Sequence, residues 1–369
     1  MIKEFDNLAQ RAVYYFTVTY PSFTPIENAD VSADEQRRAH EFIGEIYEKL
    51  YSDPSLLGFK PAPDDAFEDW QQQKEKPQLS GKIRKSIQKI EDFTDLIYRI
   101  CLAGEVRGDA IFLSKDKLEV KAASLRQLAN FGITSSAAAV AAADGCTFTF
   151  PNKIAGALKL LAEISLRHVK APKDDKQKPY LLFSRGIFDP FAPYTREVFG
   201  NMLDDEGRAS FYALTDFLDE AGYTRIDNKE FNNRVALDYI KNYGDPNAEL
   251  KWAWSERTRG GIEVVYHEVR RNQLAISMRI PYFDKILAAS DKMPPDVKSF
   301  ITGTSKKCDN CRYCVQTDKT GKRPLRFVKI GEYNICPLFC GFQYTWKSLT
   351  PQITANIIAL LKFIDTLFS

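Results

Sequence analysis

Leu274-Ala275-Ile276-Ser277-Met278-Arg279-Ile280 sets a large apolar residue at every second position, with small or polar residues between. Successive side chains of a strand point to opposite faces, so this pattern predicts a strand with one buried face. Ile262 to His267 alternates in the same way, and so does Leu250 to Ser255. Arg326 to Ile330 and Tyr333 to Ile335 read as two further short strands, turning at Gly331-Glu332. Arg259-Gly260-Gly261 and Arg271-Asn272 read as turns between strands. Short alternating runs separated by turn residues predict an antiparallel sheet.

Outward from this sheet the period changes to that of helices. Phe283 to Ala289 is expected to be a helix on the sheet. Thr350 and Pro351 open a C-terminal helix, since threonine caps well and proline suits the first helical position. Ile353, Ile357, Leu360, Leu361, Ile364 and Phe368 form its apolar face. Upstream, Phe211, Leu214, Phe217, Leu218 and Ala221 share one face of a helix that Gly222 closes.

The first half of the chain is mainly helical by the same test. Ala39, Phe42, Ile43, Ile46, Tyr47 and Leu50 line one helix, and Ile83, Ile87, Ile90, Phe93, Ile97 and Ile100 line another. Polar Gln71 to Lys82, with Pro77 and Gly81, reads as a loop. Ser124 to Phe131 is a short helix ended by Gly132. Cys146 to Phe150 is a strand after the Asp144-Gly145 turn, and Ile154 to Val169 is again helical. Over residues 83–169 this order of helices, turn and strand resembles a winged-helix module in element order alone.

Lys170 to Lys178 is charged, holds a proline and offers nothing to bury, which marks a linker. The reading is an α+β protein: a mainly helical domain over 1–171, a linker over 172–179, and an antiparallel-sheet domain over 180–369. That second domain carries a four-cysteine metal loop at 308–340 and the C-terminal helix.

Five of the seven cysteines fall between Cys308 and Cys340. Cys308, Cys311 and Cys314 are separated by two residues each. Cys336-Pro337 follows after twenty-one intervening residues, and Cys340 lies beyond it. Two residues between cysteines let two thiolates reach one ion from a tight turn, and a remote cysteine can complete a tetrahedron. A hairpin turning at Gly331-Glu332 would bring Cys336 back toward the loop. The expected ligands of a structural Zn2+ are Cys308, Cys311, Cys314 and Cys336, with Cys340 as the alternative ligand. The same spacing with a remote Cys-Pro also suits a [4Fe-4S] cluster, and hence a redox enzyme.

Around these cysteines, Lys306, Lys307, Arg312, Lys319, Lys322, Arg323, Arg326 and Lys329 face only Asp309 and Asp318. Eight minus two is a local +6 in a chain whose net charge is +2. A nucleic-acid-binding regulator using this loop is therefore a further expectation.

Trp252 and Trp254 share one face of a predicted strand, and Tyr344 and Trp346 share a parity of their own. These four are the expected lining of a groove for a small molecule or a protein partner. No phosphate-binding glycine loop, nucleophile elbow or zinc-protease helix occurs, so no catalytic residue is assigned. The N-terminus carries acidic residues at once and shows no secretory pattern, which predicts a reducing, cytoplasmic setting. No run approaches the roughly 18 apolar residues of a membrane span.

Overall fold

The computed structural model describes residues 8–59, 77–117, 120–136, 145–168, 180–190, 194–226, 234–244, 259–267, 273–305, 327–335, 341–345 and 349–368. The fold is α+β, with a helical N-terminal part, antiparallel sheets and a C-terminal helix. The chain divides into two compact units. One holds Met1–Met202 with 229–235 and 267–272, and the other holds Leu203–Asn228, Ala236–Tyr266 and Gln273–Ser369.

In the first unit, α1 (Leu8–Val18), α2 (Ala33–Ser52), α3 (Pro77–Ala103), α5 (Ala155–His168) and α6 (Tyr180–Ser184) pack together. The predicted apolar face of α2 is buried from Ala39 to Leu50, and that of α3 from Ile87 to Ile100. Helix α2 starts where it does because of a capping box. Ser32 Oγ accepts from the Glu35 amide at 3.2 Å, and the Glu35 carboxylate accepts from the Ser32 amide at 2.9 Å. Hydrogen bonds from Ser32 lower the Glu35 pKa. Helix α3 begins at Pro77, so residues 77–82, expected as loop, are helical. Proline is well placed at a first helical position, and one glycine costs only about 1 kcal/mol inside a helix of this length.

Strands β1 (Glu105–Arg107), β2 (Ala110–Leu113), β3 (Thr134–Ser135) and β4 (Cys146–Thr149) form a sheet in the order β1-β2-β4-β3, with each pair antiparallel. Helix α4 (Ala122–Asn130) precedes β3. Gly132 follows α4 at φ +80°, the left-handed conformation expected of it.

The turn after α6 is fastened to α1 and α2 by polar contacts. The Tyr47 hydroxyl donates to Ser184 O, and Arg185 Nη1 donates to Phe16 O at 3.2 Å. The Arg185 guanidinium is fully buried and lies 4.7 Å from the ring centres of both Tyr15 and Phe16. Cations stack favourably on such rings once water is excluded. Tyr20 donates to His40 O at 2.6 Å, and His40 Nδ1 lies 3.1 Å from Gly186 O. A carbonyl only accepts, so Nδ1 carries the proton. Gly186 sits at φ +62°, and a Cβ there would come within 2.6 Å of Tyr20 Oη. Only glycine fits this corner.

The second unit carries a five-stranded sheet in the order β11-β8-β7-β6-β5. Its strands are β5 (Thr224–Ile226), β6 (Arg234–Asn242), β7 (Arg259–His267), β8 (Gln273–Arg279) and β11 (Gly341–Thr345). Leu274, Ile276, Met278 and Ile280 are buried, as their alternation predicts. Strand β7 runs from Arg259, so Arg259-Gly260-Gly261 is not the expected turn. The reason is steric. A Cβ on Gly261 would lie 2.2 Å from Tyr239 O, so glycine here permits close approach to β6 and makes no chain reversal.

Next in sequence after the short helix α7 (Arg196–Gly200), helix α8 (Asp205–Glu220) packs against α11 (Pro351–Phe368), and α11 against α10 (Pro295–Thr304). The α11 amide of Ile353 donates to Thr350 Oγ1 at 3.3 Å, the predicted cap. Helix α9 (Phe283–Ala288) contacts β9 (Val328–Ile330), which pairs antiparallel with β10 (Tyr333–Ile335). Among the described residues, no helix is long and apolar enough to cross a membrane.

Candidate metal centre

Cys308, Cys311, Cys314, Cys336 and Cys340 all lie outside the described residues, as do Trp252, Trp254 and Trp346. What is described is the frame from which the two arms of the cysteine motif leave. Helix α10 ends at Thr304, and Ser305 closes it by donating its amide to Ile301 O at 2.8 Å. Cys308 follows three residues later. The chain is described again at Phe327 and enters the β9–β10 hairpin.

That hairpin is the one expected from the sequence. Its register pairs Val328 with Ile335, Lys329 with Asn334 and Ile330 with Tyr333 around Gly331-Glu332, with Gly331 at φ +60°. Ile330 and Ile335 are buried, so the hairpin has one dry face that fixes its register. Cys336 is the next residue after Ile335, and Cys340 is the residue before β11. Strand β11 is held against β8 through five residue pairs from Gly341↔Arg279 to Thr345↔Ala275. The second arm of the motif is thus five residues bounded by two paired strands. The first arm starts from a closed helix end.

Tyr344 lies in β11, paired with Ile276, and Phe342 is paired with Met278. Both partners on β8 are buried. Among the described residues, no group of three or more His, Cys, Asp or Glu is placed to hold a metal. The two cysteines outside the cluster, Cys101 and Cys146, are free thiols. Cys101 is buried, and burial raises its pKa far above the usual thiol range, so it stays protonated.

The histidines divide by position. His40 is buried against Tyr20 and Phe23, and burial lowers its pKa below the ordinary 6.5. It serves the helical core as a neutral donor. His168 ends α5 and His267 ends β7.

One polar cluster was not read from the sequence, because its members are far apart in the chain, Lys241 and Asp365 by 124 residues. Lys241 Nζ donates to Asp365 Oδ1 at 2.9 Å and to Ala221 O at 2.9 Å. The Tyr243 hydroxyl donates to the same Asp365 oxygen at 2.8 Å, and Tyr223 Oη lies 2.7 Å from Tyr243 Oη. A phenol has one proton, and that of Tyr243 is used on Asp365. Tyr223 must therefore donate to Tyr243. Burial, then the neighbouring Tyr223 and Asp365, push the Tyr243 pKa far above its usual value. Burial also raises that of Tyr223. Both phenols stay neutral donors. The chain Tyr223→Tyr243→Asp365←Lys241 ties β6 and the end of α8 to α11. Both phenolic protons are committed to partners within the fold, so the cluster reads as a fastening and not as a reactive centre.

The protein was compared with family models, curated proteins and solved structures, and it matches none of them.

Proposed function

We propose that this is a binding protein whose second unit is held together by a structural zinc ion on Cys308, Cys311, Cys314 and Cys336, with Cys340 as the alternative fourth ligand. The observation that carries the reading is the cysteine spacing, C-x2-C-x2-C and then Cys-Pro. The β9–β10 hairpin supports it, because the sequence required a chain reversal directly before Cys336. Four thiolates fill a tetrahedron and leave no position for substrate, which is the mark of a zinc that stabilises and does not catalyse. In such sites the metal-binding free energy is folding free energy.

In this reading the working surface is separate from the ion. Trp252, Trp254, Tyr344 and Trp346 supply the aromatic groove, and its ligand is a small molecule or a protein partner. Replacing Trp254 with alanine tests the groove. A groove residue is expected to leave thermal stability near that of the parent, whereas a core tryptophan costs about 3–5 kcal/mol. A large loss of stability would assign Trp254 to packing and remove it from the groove.

The metal is tested by elemental analysis of purified protein. Zinc in stoichiometric amount supports the proposal. Iron with labile sulfide, and a brown colour lost in air, would replace it with the [4Fe-4S] reading. No metal at all would remove both.

A further inference from the structure

We propose that His40 is an acid-sensitive latch, which holds residues 20–25 and the turn 186–188 against α2 at neutral pH and lets both go together in acid. Residues 20–31 carry neither helix nor strand, so side chains must hold them. Gln36 holds the far part. Its side-chain amide accepts from Ile26 N at 3.0 Å and donates to Ile26 O at 2.9 Å and to Val31 O at 3.2 Å. His40 holds the near part. The Tyr20 ring centre lies 4.7 Å from that of the imidazole, and the Phe23 ring centre lies 5.5 Å from it. The turn rests on the same imidazole through the bond that Nδ1 donates to Gly186 O. Phe188 then meets Phe23 edge-on, with ring centres 6.3 Å apart. One titratable ring therefore joins both segments to α2. The latch lies within the first unit and does not depend on the proposed zinc site.

A cation is poorly accommodated in this corner. A Cβ on Gly186 would lie 3.0 Å from Nδ1 and 2.6 Å from Tyr20 Oη, so the imidazole and the phenol close tightly on the turn and leave no space for water between them. The surrounding groups do not replace that water. Arg37 lies over Phe23 at 5.7 Å, and Arg185 lies on the rings of Tyr15 and Phe16; both are cations. Burial keeps Tyr20 a neutral phenol, and Tyr47 gives its proton to Ser184 O. Burial outweighs the bond to Gly186 O and the charge of exposed Glu41, the two groups that favour the imidazolium. The released ring, in water, takes up its proton near the ordinary 6.5. Opening is therefore suppressed above about pH 6.5 and grows by up to about ten-fold per pH unit as pH falls from there to the lower closed-state value.

Hydrogen exchange at single-residue resolution, corrected for the intrinsic effect of pH on exchange, reads the latch between about pH 7.5 and about pH 5. The Tyr20, Gly186 and Ile187 amides, bonded to Thr17 O, Phe183 O and Leu182 O, are expected to lose protection together on acidification. The Ile26 amide, held by Gln36, and the interior amides of α3 are expected to keep theirs. His40→Gln retains a side-chain donor for Gly186 O but cannot titrate, so its corrected protection is expected to be the same at both ends of the range. Glu41→Gln alters an exposed residue and removes a charge that favours the imidazolium, so the onset of opening is expected to move to lower pH. The latch is refuted if protection at the three amides does not change with pH, if it falls equally at Ile26 and along α3, or if the pH dependence survives in folded His40→Gln. Should His40→Gln fail to fold, an onset that Glu41→Gln leaves in place refutes it.

Discussion

Asp365→Ala removes the acceptor at the centre of the chain that ties α11 to β6. Two hydrogen bonds end on its Oδ1, from Lys241 at 2.9 Å and Tyr243 at 2.8 Å. Each is made to a charged group, a class that contributes about 1.5–3 kcal/mol. The Lys241 and Asp365 side chains are 29% and 21% exposed, so solvent screens the pair only in part. Lys241 keeps its bond to Ala221 O after the substitution, whereas Tyr243 is left without its acceptor. The expected cost is about 2–4 kcal/mol. Tyr243→Phe alone is expected to cost about 1–2 kcal/mol, and the double variant less than the sum by about 1 kcal/mol. Urea unfolding followed by tryptophan fluorescence is the assay. Refutation is a loss below about 0.5 kcal/mol for Asp365→Ala, or strict additivity in the double variant.

Three further outcomes are expected. His40 has a folded pKa below its unfolded 6.5, so the unfolded chain takes up the proton first on acidification. Stability from this site is complete above about pH 6.5 and is lost as pH falls toward the lower folded value. The difference in unfolding free energy between the parent and His40→Phe should show that trend, and a pH-independent difference would contradict it. Gly261→Ala drives a methyl group against the Tyr239 carbonyl and is expected to cost about 2 kcal/mol or more, read as a lowered melting temperature. A variant that melts with the parent would mean that β7 and β6 are not so closely set. Cys311→Ser is expected to lose the metal and to lower the stability of the second unit. Unchanged melting would show that the cluster is not structural.

Much of the fold was legible because one face of many elements is wet. Helices α2 and α3 carry one apolar stripe each, and the β9–β10 hairpin has buried Ile330 and Ile335 opposite exposed Lys329 and Asn334. Leu274 to Ile280 was legible for a different reason: its large apolar residues alternate with small or polar ones, although Ser277 on the other face is buried as well. The unread strands lack that asymmetry. Ala236 to Ile240 of β6 is buried at every position, so no period marks it. Strand β1 is exposed at every position, with the same result. Glycine misled twice, at Gly81 inside α3 and at Gly261 inside β7. Its chemistry does not distinguish a turn from a tolerated helical position or a close approach of two strands. The capping box Ser32-Ala33-Asp34-Glu35 is a signal present in the sequence that the helical periodicity alone passed over. The proposed metal centre rests on spacing, because ligand geometry constrains residues close in sequence. The Tyr223–Tyr243–Asp365–Lys241 chain was not legible, because only the tertiary fold brings those residues together.

The measurement that bears most directly on the account is the metal content of the freshly purified protein, by elemental analysis, beside that of Cys311→Ser. The account predicts about one zinc per chain in the parent and loss of that zinc in the variant. A colourless parent without zinc, or a parent holding iron and sulfide in its place, would contradict it.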